Sequence, residues 1–131
     1  MAGYISDGVG AINGGSANND FPVIRFADVL LMKAEAIIRN GGGGDANQLV
    51  NRVRNRAGLS NLPAVTLDEI YDERGREFCW EGLRRQDMIR FGKFLLPHDF
   101  KTTASDSKYL LFPKSPATLA NNKNLTQSPG Y

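Results

Sequence analysis

The sequence is poor in the residues that build chemical sites. It holds one cysteine, Cys79, one histidine, His98, and one tryptophan, Trp80, in 131 residues. A single cysteine forbids an intrachain disulfide, and one histidine among carboxylates is too sparse a donor set for structural zinc. No apolar run reaches the roughly 18 residues that a membrane-spanning helix requires. The opening residues, Met1-Ala2-Gly3-Tyr4-Ile5-Ser6-Asp7-Gly8, lack the basic and apolar regions of a signal peptide. The polypeptide by itself is therefore expected to be soluble. An excess of one charge is missing too: 16 basic residues against 14 acidic ones leave a net charge of +2. That is too little to make nucleic acid the default partner, although the pI is about 8.8. No cofactor motif is present, since the glycine run at 41–44 is not followed by the Lys-Ser/Thr of a phosphate-binding loop.

What is present is helical punctuation. Nine of the fourteen glycines fall in the first 44 residues, and residues 1–20 carry only Asp7 and Asp20 as charges. This stretch reads as a loop or a truncated connection, and residues 21–131 as one helical domain. A first helix is expected after Phe21-Pro22, running to about Arg39 and ended by the run Gly41-Gly42-Gly43-Gly44. Phe26, Leu30, Ala34 and Ile37 share one face, and Ala27, Leu31 and Ile38 widen it, so this helix should be largely buried. Asp45 with Gln48 resembles a capping box for a second helix that stops at Gly58, with Leu49, Val53 and Ala57 as its apolar stripe. Thr66 with Glu69 is another capping box, opening a third helix through Ile70, Tyr71, Phe78 and Trp80 toward Gly82. A short fourth helix, 83–91, follows. Beyond Gly92, the prolines 97, 113, 116 and 129 interrupt helices, and Tyr109-Leu110-Leu111-Phe112 is strand-like but too short to found a sheet. The last forty residues read as an extended arm around a helical body.

Several residue groups invite a chemical reading. Glu73, Glu77 and Glu81 line one helical face, and a pair of acids is what a glycosidase needs. Glycosidase acids oppose each other across a cleft, however, whereas these share a helix with Arg74 and Arg76 and lie near Arg84 and Arg85. Ion pairing is the better account. Trp80 is the one candidate for stacking on a sugar ring, with core packing as the favoured expectation. His98 has no serine or cysteine nucleophile to activate and reads as a surface residue. Arg52, Arg54 and Arg56 on the second helix should pair with Glu35, Asp45 or Asp68, or face solvent. Asn124-Leu125-Thr126 matches a glycosylation sequon by accident.

The motifs, taken in order, resemble a family. Arg25-Phe26-Ala27-Asp28-Val29-Leu30-Leu31-Met32-Lys33-Ala34-Glu35-Ala36 looks like the arginine-led helix of SusD/RagB proteins that ends in Ala-Glu-Ala. Asn51-Arg52-Val53-Arg54-Asn55-Arg56-Ala57-Gly58-Leu59 resembles the family's second helix. The stretch Glu73-Arg74-Gly75-Arg76-Glu77-Phe78-Cys79-Trp80-Glu81-Gly82-Leu83-Arg84-Arg85-Gln86-Asp87 resembles its Glu-Arg-rich helix followed by Glu-Gly-x-Arg, and the ending Asn124-Leu125-Thr126-Gln127-Ser128-Pro129-Gly130-Tyr131 resembles its terminal motif. Two positions depart: Gly75 stands where the family usually has arginine or a similar helix former, and Cys79-Trp80 replaces a smaller pair.

The resemblance implies a mostly α fold of tetratricopeptide-like helical hairpins with an extended C-terminal arm, here the C-terminal portion of a longer protein. It also implies a function without catalysis or cofactor. A SusD-like protein binds oligosaccharide or another nutrient as the lid of a SusC-like TonB-dependent transporter. It sits exposed at the cell outer membrane on a lipid anchor, which this chain lacks. The family's glycan-binding aromatics lie mainly before this stretch, which leaves scaffold and transporter contact as the expected role here, with Arg52, Arg54 and Arg56 as the candidate interface. Two rivals remain: a free-standing helical interaction module that grips a peptide or helix in a groove, and a glycosidase using Glu77 or Glu81.

Overall fold

The structure, a computed structural model, describes residues 22–42, 44–98 and 100–131; the loop expected at 1–20 lies outside them. Five α-helices and one 3₁₀ turn follow in order: α1 Phe26–Arg39, α2 Gly44–Arg56, α3 Leu67–Glu77, α4 Arg84–Arg90, the turn Ser107–Leu110, and α5 Pro116–Asn121. The mostly α, hairpin-based architecture matches the expectation. α1 packs against α2 and α3, and α4 against α3. Among the described residues the one isolated β-bridge joins His98 to Lys101.

Local signals explain most of the boundaries. α1 ends where Gly41 adopts φ +74°, letting its N–H reach the Ile38 carbonyl while Gly42 reaches that of Ile37. α2 ends the same way at Gly58, with Gly58 bonded to Asn55 and Leu59 to Arg54. This paired closure satisfies the last free carbonyls, and a side chain at the left-handed position would strain it. The Thr66 capping box is formed in full: the Glu69 N–H donates to Thr66 Oγ1 at 3.2 Å, and the Thr66 N–H to Glu69 Oε2 at 2.6 Å.

Other boundaries differ from expectation. α1 starts at Phe26, not after Pro22, because Arg25 stays extended (φ −111°, ψ 157°), the geometry in which its guanidinium reaches α3. α2 begins at Gly44, so Asp45 lies inside its first turn, where a carboxylate acts on the helix dipole, and not at a cap. α3 stops at Glu77, short of Trp80, which takes φ +69° in the turn before Gly82. Pro116 opens α5 instead of interrupting a helix, with Ser115 Oγ accepting from the Thr118 N–H ahead of it. Tyr109 and Leu110 belong to the 3₁₀ turn, not a strand.

The core gathers Leu30, Leu31 and Ala34 of α1, Ala46, Val50 and Val53 of α2, and Ile70 and Phe78 around α3. The α2 stripe is thus Ala46, Val50 and Val53, with Leu49 half-buried against the core as expected; Ala57 lies past the helix end and is exposed. α1 is apolar on a second side as well, where Phe26, Val29 and Met32 face outward.

The arm does not simply trail away. Residues 124–131 fold back on 111–114: the Gln127 side chain accepts from the Lys114 N–H and donates to the Lys114 carbonyl, at 2.8 and 2.9 Å. Ser128 Oγ and Tyr131 Oη donate to the carbonyls of Phe112 and Leu111. Arg85 of α4 ties this layer to the body by donating to the Tyr109 carbonyl at 3.0 Å.

Candidate functional site

The charged residues form the most ordered feature of the molecule. Arg74, 3% exposed as a side chain, donates from Nη1 to Asp28 Oδ1 at 2.7 Å and from Nε to Asp87 Oδ2 at 2.9 Å. Asp87 also accepts from Arg90 at 2.8 Å, Arg90 bonds Glu35 at 3.0 Å, and Glu35 accepts from Arg39 at 2.8 Å. The result is one alternating chain, Asp28–Arg74–Asp87–Arg90–Glu35–Arg39, that ties α1, α3 and α4 together. No buried side-chain nitrogen or oxygen among the described residues lacks a hydrogen-bond partner, the condition under which buried charge is tolerated.

The three glutamates of the acidic face are ion-paired, as expected, but mostly by other arginines. Glu73 Oε2 accepts from Arg54 at 2.8 Å and Arg76 at 2.6 Å. Glu77 takes Arg25 at 2.9 Å and Arg56 at 2.8 Å, and Glu81 takes Arg25 at 2.7 Å. Each acid is therefore fixed in a guanidinium cage on or just beyond one helix.

This lattice also redirects the α2 arginines. Arg54 turns inward to Glu73, and Arg56 caps Glu77 from a position still open to solvent. Neither meets Glu35, Asp45 or Asp68. Arg52 makes no ion pair among the described residues and lies over the outward Phe26 ring, 5.1 Å from its centre. His98 and Cys79 are exposed. Trp80 is the clearest departure: it is 91% exposed and takes no part in the core.

Asp28, Asp87 and Arg90 were not expected as structural ions, and Glu35, expected to pair with an arginine of α2, pairs with Arg39 and Arg90 instead. One signal was available: Asp28 and Glu35 stand seven residues apart within an apolar helix, so both fall on its inner side. Their partners could not be named, because Arg74 and Arg90 are 46 and 55 residues further on. Gly75 lies against the Arg84 side chain. A Cβ there would fall 2.7 Å from the guanidinium of Arg84, which donates to the Tyr71 carbonyl and lies 3.7 Å over the Tyr71 ring.

Two clefts border these elements. One of about 470 Å³ lies between α4 and the arm, lined by Met88, Phe94, Tyr109, Phe112, Tyr131 and Arg85; Arg85 spans it, 4.3 Å over the Phe112 ring. The other, of about 400 Å³, is bordered by Trp80, Asp72, Gly75, Arg76 and Arg84. Aromatic faces beside a few polar groups are the usual makings of small-ligand contact. Among the described residues no group of three or more histidines, cysteines or acids could hold a metal ion, and no helix is long and apolar enough to cross a membrane.

Stacked hairpins clamped by internal ion pairs, with aromatic faces left at the surface, define a tetratricopeptide-like helical protein. The chain belongs to the SusD family, whose model matches residues 3–109. The starch-binding protein SusD of Bacteroides thetaiotaomicron is 37% identical over 137 residues, covering 98% of this chain and 24% of that protein. Surface glycan-binding protein A of Bacteroides uniformis superposes with a TM-score of 0.77 at 32% identity, over 86% of this chain and 28% of that one. Surface glycan-binding protein A of Bacteroides thetaiotaomicron, solved in complex with laminarihexaose, superposes with a TM-score of 0.74 at 36% identity, over 86% and 25%. The chain spans about a quarter of the length of these relatives.

Proposed function

We propose that the chain is the C-terminal helical domain, residues 21–131, of a non-catalytic glycan-capturing protein in a SusCD-type uptake system. In this reading the protein stands at the outer-membrane surface on a lipid anchor, binds oligosaccharide, and passes it to a SusC-like TonB-dependent transporter. The supporting observation is the family match, together with two neighbours named for glycan binding that superpose on 86% of the chain. The state of the acids agrees with it. Glu73, Glu77 and Glu81 are each bonded to arginine, whereas a glycosidase needs two carboxyls facing one another across a sugar, one of them able to carry a proton.

The helices described here act as scaffold and as transporter contact. On α2, Arg52 and Arg56 present their guanidiniums outward, and Arg54 supports the helix from behind. In the family-length protein, Arg52→Glu is expected to weaken co-purification with the transporter by about tenfold, the scale on which a like charge opposes a complementary surface. Unchanged affinity would remove this surface from the contact.

A further inference from the structure

We draw no further inference here: the strongest candidate, the apolar cleft between α4 and the C-terminal arm lined by Met88, Phe94, Phe112 and Arg85, carries nothing because nothing in the structure shows what covers it in a chain that spans about a quarter of its relatives' length.

Discussion

Replacing Arg74 with Met is expected to destabilise the domain by about 3–5 kcal/mol, the cost of leaving buried charge without its partner. Arg74 bonds acids on both α1 and α4, through Asp28 at 2.7 Å and Asp87 at 2.9 Å, and is the most buried cation of the lattice among the described residues. Its guanidinium also lies 5.0 Å over the Phe78 ring. Methionine matches much of the stem but strands Asp28 without a cation, while Asp87 keeps only Arg90. Against a total stability of about 5–15 kcal/mol for a domain, that is a large fraction. Arg74→Lys should fall between the two, because one ammonium cannot reproduce a planar fork to two carboxylates. Adding Asp28→Asn to Arg74→Met should recover part of the loss, since the stranded charge is then gone. Urea unfolding followed by circular dichroism measures all three. A loss below about 1 kcal/mol for Arg74→Met would place the lattice among ordinary surface ion pairs.

Acid should loosen the same lattice through Glu35. Burial alone would raise the pKa of this carboxyl, but hydrogen bonds and charge from Arg90 and Arg39 outweigh burial and hold it below its ordinary value of 4.5. A folded-state pKa depressed below the unfolded one contributes stability that is fully present above the unfolded value. That contribution is lost as pH falls through the folded one. Glu35→Gln, which keeps the shape and removes the charge, is therefore expected to cost about 1–3 kcal/mol at pH 7, the range for hydrogen bonds to charged groups. The gap between parent and variant should close as the pH drops below 4.5. Urea midpoints for the two proteins at pH 7 and pH 3 test this; a gap of equal size at both would show that the Glu35 charge does no stabilising work.

Legibility in the sequence divides along chain distance. Gly41, Gly58 and the Thr66-Glu69 box marked helix ends correctly because a turn is decided by residues within about five positions of it. The apolar face of α1 was legible for Ala27, Leu30, Leu31 and Ala34, which follow helical spacing into the core. Phe26 fits the same spacing yet faces outward, at 62% exposure. The first residue of a helix has no preceding turn to pack it, and the Phe26 ring instead meets the Arg52 guanidinium, 5.1 Å from its centre. The end of α3 was misjudged for a related reason. Nothing between Glu77 and Gly82 breaks a helix by propensity; the chain leaves the helix through positive φ at Trp80 and Gly82, with Glu81 between them held by an arginine 56 residues away. That the acids would be paired was readable from composition and spacing; which arginine pairs with which acid was set by packing.

Calorimetric titration of the family-length protein with laminarihexaose and maltohexaose, followed by chromatography of the recovered sugar, tests the central claim most directly. Capture without catalysis predicts a saturable heat and a hexasaccharide recovered at full length after prolonged incubation. Shorter sugars that accumulate with time, and that disappear on Glu77→Gln or Glu81→Gln, would contradict it and make the protein a hydrolase.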